Sequence, residues 1–539
     1  PPYDDGAAWT RLQLLWAYLT DSAVAPLQKE FVECDEPLCA DIGPAEDIFS
    51  QGYHQVWFHD GETETLGEIP RRLMNALQDA HDAFDIERIG LVIRRKKRRL
   101  LARLENSPTD SIVDPVIRHF LYGPRAVGGA AETDALVRKA DRMAELTAAE
   151  ALGADDWKAL LRTYMLERPC AAVVGTPSAA LAEKIPAEVE ARTKQQKEEL
   201  GEEKCAALAA TLEAAIAHNE RPIPEEALRS VPVPAISKVK SVPIATIRGG
   251  GATPLAAVPA IGSVVPPETV ASLVDALAAS RAAAGAAADG LWVEWSHIES
   301  AFINVTVLLD TRPLTPAQRL YLPLLLDLAF KAPATLDDGT QLSKDDFVEA
   351  IQDETVGYSA DYGIGGRAGD QTVALYLQVE ASRGLGAALT WLRRALFLTK
   401  YNADDIKIAA KNLSAAIPGE IRDGPGIARA IRDEIVYEEG KANSVAGNAM
   451  RQSAFLDGVL AALGGGGDDS DDGDGADFDA EIAVDCLPDE PEEAGGDAAT
   501  AAGAARVESE LSALRDGLVR QPAVLRVYIA ADLVRMTSG

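Results

Sequence analysis

The eight residues Phe302-Ile303-Asn304-Val305-Thr306-Val307-Leu308-Leu309 are rich in β-branched side chains and partly alternate, a pattern that predicts a strand. The next segment narrows the fold. Thr315-Pro316-Ala317-Gln318 combines an N-cap Thr, Pro at the first helical position and Gln at the capping-box position. It starts a helix along the apolar run to Phe330, kinked near Pro323. Ser343 caps a further helix through Ile351. Strands over Val356 to Tyr362 and Thr372 to Glu380 then flank a Gly-rich turn, and amphipathic helices run from Leu385 and from Asn402. The order β-α-α-β-β-α-α points to an α+β fold, with helices packed on a mixed, largely antiparallel sheet.

The two halves of the chain echo each other. The first ends with a helix over Asp156 to Tyr164 and an expected strand, Ala171-Ala172-Val173-Val174-Gly175. The second ends with a helix over Glu508 to Arg520 and a strand over Val524 to Ala530, so two homologous modules are expected. At roughly 150 residues per domain, 539 residues hold about three or four. Between the modules, Pro186 to His218 is rich in Glu, Lys, Gln and Ala and reads as a helical linker or hairpin. Arg221 to Val265, with seven prolines, reads as an extended connection. Gly464 to Ala505 carries fourteen Asp and Glu and no Lys or Arg, the composition of a disordered acidic insert. The expected division is a module over 1–185, a linker over 186–255, a second module over 256–463, the insert over 464–505, and a closing helix and strand in 506–539.

Charge sets limits on partners. Lys and Arg total 52 against 84 Asp and Glu, and the fourteen acids of the insert leave −18 of the net −32 on the rest of the chain. Such a body repels phosphate backbones and anionic membranes and favours basic partners, so neither nucleic acid nor membrane is expected as a ligand. No apolar run approaches the roughly 18 residues of a spanning helix. Five cysteines without a C-x-x-C pair form neither a disulfide framework nor a zinc knot and fit a reducing compartment. The chain opens Pro1-Pro2-Tyr3 with no charged region leading into an apolar one. The expected location is the cytoplasm, with mitochondria as the alternative.

Motifs that carry chemistry meet competing structural readings. Zinc hydrolysis needs two imidazoles on one helical face with a carboxylate base, as H-E-x-x-H or H-x-x-E-H. Only His59-Asp60-Gly61-Glu62 begins the inverted form, and Thr63 stands where the second ligand belongs; Asp60-Gly61 reads instead as a turn. His297-Ile298-Glu299 and His218-Asn219-Glu220 contain H-x-E without the P-C-x-x-C that completes a zinc deaminase site. Gly363-Ile364-Gly365-Gly366-Arg367-Ala368 fits a dinucleotide fingerprint, but a strand comes after it rather than a helix, so it reads as a hairpin turn. Asp468-Asp469-Ser470-Asp471-Asp472-Gly473-Asp474, with Asp479, resembles a calcium loop but lacks flanking helices and reads as flexible acidic tract. The basic run Arg94-Arg95-Lys96-Lys97-Arg98-Arg99 sits beside the apolar stripe of Ile86, Ile89, Ile93, Leu100 and Leu104, and reads as the solvated face of an amphipathic helix.

Collinear wording adds a family resemblance. Leu19-Thr20-Asp21-Ser22-Ala23-Val24-Ala25-Pro26-Leu27-Gln28-Lys29-Glu30-Phe31-Val32-Glu33 resembles the start of the second module of pitrilysin-type zinc metallopeptidases, in the branch of presequence protease. Phe120-Leu121-Tyr122-Gly123, Gly175-Thr176-Pro177-Ser178, Ile223-Pro224, Ser300-Ala301-Phe302-Ile303-Asn304-Val305, Asp353-Glu354-Thr355-Val356-Gly357-Tyr358-Ser359 and Ile421-Arg422-Asp423-Gly424 continue it in order. The resemblance implies a clamshell of four modules around a chamber in which a zinc-bound water cleaves unfolded peptides. This chain would supply modules two and three, with the start of a fourth near its end. The inverted motif belongs to the family's first module, so no catalytic, metal or cofactor residue is assigned here, and zinc is implied only for the full-length protein. The chain is expected to be inactive alone and to need a catalytic module or an active partner subunit, with unfolded, basic peptides as ligands. The alternative is an inactive family member that supports or enhances an active subunit.

Overall fold

The computed structural model describes residues 5–47, 52–61, 63–123, 136–137, 140–230, 232–233, 235–238, 244–250, 253–258, 265–285, 291–364, 368–438, 440–464, 497–519 and 526–537. They form two units: Pro1–Ala171 with Pro243–Gly539, and Ala172–Val242.

In the first half, Asp5 caps α1 (Gly6–Thr20) by accepting from the Ala8 amide, and α2 (Pro26–Phe31) comes next with Pro at its first position. An antiparallel hairpin, β1 (Asp41–Asp47) and β2 (Tyr53–His59), precedes α3 (Ile69–Asp82), α4 (Ile86–Asn106) and α5 (Pro108–Tyr122). Two shorter helices, α6 (Arg142–Glu150) and α7 (Ala154–Leu161), complete it. The core gathers around α1, which is buried on nearly every side, with Phe31, Ile42, Val92 and Trp157 against it.

The unit Ala172–Val242 holds α8 (Ala179–Asn219) and α9 (Glu225–Ser230). α8 is broken at Gly201, whose φ of 71° only glycine adopts freely, and buries no side chain. Residues 171–175 form no strand: Val173 is 95% exposed, and the segment pairs with no strand of the described residues. Apolar content alone does not make a strand without a neighbour to hydrogen-bond.

The second half is built on a seven-stranded sheet in the order β4-β3-β5-β11-β6-β10-β9. Its strands are β3 (Ala245–Gly250), β4 (Thr253–Ala257), β5 (Trp292–His297), β6 (Phe302–Asp310), β9 (Gly357–Ile364), β10 (Ala368–Glu380) and β11 (Arg526–Ala531). β7 (Ala334–Thr335) and β8 (Gln341–Leu342) make a separate small hairpin. Among the described residues only the β5–β11 pair is parallel, so the sheet is mixed and largely antiparallel. β3 and β4 thus belong to this sheet, although the expected linker ran to 255. The prolines misled because β4 is an edge strand, where Pro254 removes no ladder bond that the sheet needs.

Helices α10 (Pro267–Ala284), α11 (Pro316–Leu320), α12 (Leu322–Leu328), α13 (Lys344–Glu354), α14 (Gly384–Arg393), α15 (Ala403–Arg422), α16 (Gly424–Val436), α17 (Asn443–Ala446) and α18 (Ala449–Ala462) accompany the sheet. The capping boxes at Thr315 and Ser343 form as expected, and the helix expected to kink near Pro323 divides at Tyr321 into α11 and α12. α19 (Asp497–Val519) starts inside the stretch assigned to the acidic insert. Its Ala-rich opening favours helix, and Gly503 lets it approach α18, because a side chain there would meet the Ala462 carbonyl. α20 (Leu533–Thr537) comes after β11.

Apart from the β7–β8 hairpin inserted between α12 and α13, the order α1-α2-β1-β2-α3-α4-α5 recurs as α11/α12-α13-β9-β10-α14-α15-α16, with both hairpins antiparallel. Asp85 and Asn402 cap the corresponding helices α4 and α15, and Pro108 and Pro425 open the corresponding α5 and α16.

Candidate functional site

Register turns the seven-stranded sheet into two unlike faces. Ile247, Trp295, Ile529, Val305, Leu377 and Tyr358 lie in one row across six strands and pack into the helix-covered core. The next row, one residue along each strand, reads Arg248, Glu294, Tyr528, Thr306, Tyr376 and Ser359. Because side chains alternate along a strand, these six share the opposite face. Arg248 is exposed and the other five half-buried. Tyr376 donates to Asn304 Oδ1 at 2.7 Å, and Gln378 Nε2 donates to the same oxygen at 2.9 Å. Burial holds the Tyr376 phenol above its ordinary pKa, so it stays a donor. The face offers aromatic rings, hydroxyls and both charges to whatever lies against it.

Along the β9 edge runs a cavity of about 550 Å³. One bank is Tyr358, Ser359, Ala360, Asp361 and Tyr362; the other is Pro323, Leu326 and Asp327 of α12 with Phe330 and Lys331 just beyond it. Val348 and Gln352 of α13 lie behind, and Asp21, Ser22 and Ala23 of the first half stand at one end. The Phe330 and Tyr358 rings are 5.1 Å apart.

The charges around this groove tie the halves together. Glu33, whose side chain is 8% exposed, sits between Lys344 at 2.7 Å and Lys331 at 3.8 Å; Asp327 reaches Lys331 at 2.9 Å and Asp405 reaches Lys344 at 3.5 Å. Burial works against the Lys331 ammonium, but Asp327 and Glu33 outweigh it and hold its pKa above the usual lysine value. Asp21 is bracketed by Arg95 at 3.0 Å and Arg88 at 3.4 Å.

The basic run of α4 is therefore a solvated face only in part: Arg94 and Arg99 are exposed and Lys96 and Lys97 half-buried. Arg95 and Arg98 are each 6% exposed. Arg98 donates to the Gln352 carbonyl at 2.8 Å, Arg99 to the Val356 carbonyl at 3.4 Å, and Arg94 to Asp353 at 3.2 Å. Lys97 reaches Glu150 at 2.7 Å. Burial lowers the pKa of Lys96, Arg98 and Arg99. Guanidinium stems pack like apolar chains while the planar heads find carbonyls, which is how such a run joins the two halves. Farther along α4, Ala102 meets Phe302 and Val356, and Glu105 accepts from Ser300 and from the Ala301 amide.

No protein-family model matches the chain. An uncharacterized protein of Saccharomyces cerevisiae, YOL098C, is 22% identical over 445 residues, covering 81% of this chain and 40% of that protein. The uncharacterized Caenorhabditis elegans protein C05D11.1 is 24% identical over 434 residues, covering 79% and 40%. The chain thus spans about 40% of the length of these curated relatives. Among solved structures, the ferredoxin protease FusC in complex with Arabidopsis ferredoxin aligns over 99% of this chain and 47% of its own at 11% identity and a TM-score of 0.32. A peptidase M16 inactive domain from Pseudomonas fluorescens covers 46% of each chain at 11% identity and a TM-score of 0.26. Superpositions this loose equate no side chain here with one in those proteins.

The motifs weighed in the sequence scatter. His59 ends β2, and Asp60 turns the chain with a φ of 52°, so the near-motif lies on no helix; Glu62 lies outside the described residues. His218 closes α8, and His297, at the end of β5, accepts from the Leu533 amide at 3.0 Å. Gly363 and Ala368 belong to the β9–β10 hairpin, as the fingerprint's competing reading required, with 365–367 outside the described residues. The calcium-like stretch 468–479 also lies outside them. Among the described residues no three His, Cys, Asp or Glu converge as a metal site. Among the described residues no helix is long and apolar enough to cross a membrane. Sequence reasoning missed Lys331, Asp361, Tyr358 and Gln352 as groove residues. The one local signal was the strand beginning at Gly357, which places Ser359 and Asp361 on the polar face of an otherwise aromatic segment.

Proposed function

We propose that this chain is a non-catalytic portion of a pitrilysin-type zinc metallopeptidase, two modules and their linker, and that the polar face of its large sheet forms part of the wall against which unfolded peptides are held. The recurrence of α-α-β-β-α-α-α in the two halves carries this reading, since it supports duplicated modules and agrees with the collinear family wording. The polar row Arg248 to Ser359 suits a surface that meets many peptide sequences, because hydroxyls, aromatic rings and charges of both signs adapt to varied side chains. The acidic balance of the body favours basic peptides, by long-range attraction that salt screens. Hydrolysis requires a catalytic module or an active partner subunit. The cytoplasm is the proposed location.

The test is to titrate a labelled, unfolded basic peptide against the purified chain at low and high ionic strength, with mass spectrometry of the products. Binding that weakens with salt and yields no cleaved product supports the reading. Chelator-sensitive cleavage, or no binding at low salt, overturns it.

A further inference from the structure

We propose that the groove between β9 and α12 binds one extended peptide, which adds to the sheet as a further strand beside β9 and sets a Lys or Arg side chain against Asp361. The proposal deepens the reading above and rests on it.

A strand edge is available. β9 pairs with β10 on one side, and among the described residues no strand pairs with its other side. Every second residue of such an edge presents an N–H and a C=O that an added strand satisfies.

The cavity reaches that edge, with Leu413 and Gly447 completing its wall. A space under a sheet face touches alternate residues of adjacent strands. This one is walled by five consecutive residues of β9 and by no residue of β10. From Tyr358 to Tyr362 the edge runs about 13 Å at ~3.3 Å per residue, room for about four residues of extended chain. Leu326 and Phe330 on the opposite bank give the ligand's side chains apolar surface.

Charge selects the occupant. Asp21 faces two arginines and Asp327 faces Lys331, so both are neutralised in place. Asp361 is exposed and makes no ion pair among the described residues, leaving one carboxylate on the β9 bank for a cation to answer. On the rear wall Gln352 is 2% exposed, and its Oε1 is buried without a hydrogen-bond partner, an acceptor that a ligand N–H would satisfy.

The experiment uses the full chain and a labelled peptide of about ten residues, alternating Val and Thr around one central Arg, with two versions N-methylated on the odd or the even residues. Strand addition uses the N–H groups of only one alternate set. One methylated peptide should therefore bind at least about tenfold more weakly and the other within about twofold of the parent. Asp361→Lys should weaken the parent peptide about fivefold at low salt, and a central Glu in place of Arg should recover most of that loss. The methylated peptides are read on the wild-type chain, so a misfolded Asp361→Lys would not remove their result. Equal binding of the two methylated peptides overturns the groove while leaving the broader peptide-wall reading in place. No binding of the parent peptide at low salt overturns both.

Discussion

The hairpin β1–β2 and the hairpin β9–β10 occupy the same place in the repeated order of elements, yet they live in different surroundings. Among the described residues β1 and β2 pair only with each other, and Tyr53 and Trp57 are each 53% exposed. β10 instead continues into β6 and, through β11, into β5 and β3, so that Val373, Leu375, Leu377 and Val379 are buried. A two-stranded hairpin is marginal by itself, so the first half is held by its helices, and the second by a sheet with helices packed on it. The difference teaches that a shared order of elements does not fix where stability resides; the neighbours of a strand do.

Breaking the second core should have the largest effect. Phe347, fully buried on α13 with its ring 5.3 Å from that of Trp391, should cost about 3–5 kcal/mol when changed to Ala, measured by denaturant unfolding. The joint between the halves comes next. Glu33→Ala leaves Lys331 and Lys344 without their shared carboxylate in a poorly solvated place and should cost about 2–4 kcal/mol. Asp345→Ala, which removes only the exposed pair with Lys29, should cost less than about 1 kcal/mol. Equal losses from these two would mean that the joint is not selective.

Titration sharpens the comparison by assigning one pH limb to each region. The His54 ring, against Trp9 at 4.8 Å with its Nε2 unpartnered, is desolvated and falls to a pKa of about 4. Below its ordinary value of about 6.5 the unfolded chain takes up a proton that the folded chain refuses, so stability falls with pH down to about 4. His54→Phe should flatten that acid limb. Lys331 has the opposite sense. Its raised pKa gives a contribution fully present below the unfolded value and lost as pH rises through the folded one, so Lys331→Met should flatten only the alkaline limb. The smallest effect belongs to Trp57→Ala on the exposed hairpin, within about 0.5 kcal/mol; a loss several times larger would show that the first half rests on its strands after all.

Much of the fold was legible because its signals are local. The caps at Thr315 and Ser343, the break at Pro323 and the β9–β10 hairpin each need only neighbours in sequence. The misreadings share a different cause. Whether 171–175 becomes a strand depends on a pairing partner, and whether Pro254 is tolerated depends on lying at an edge. Arg98 and Arg99 of α4 find acceptors more than 250 residues away, at Gln352 and Val356, so nothing near them in the sequence announces these contacts. The groove was hidden for the same reason: β9, α12, α13 and the Asp21–Ala23 turn meet only in the folded chain.

Amide hydrogen exchange of the chain with and without a saturating basic peptide tests the central claim most directly, since it reports where an extended ligand makes backbone hydrogen bonds. The account predicts added protection at 357–364, with 41–59 and the helices of 179–219 unchanged. Protection at the β1–β2 hairpin or along 179–219, with 357–364 unaltered by a peptide that binds, would contradict it.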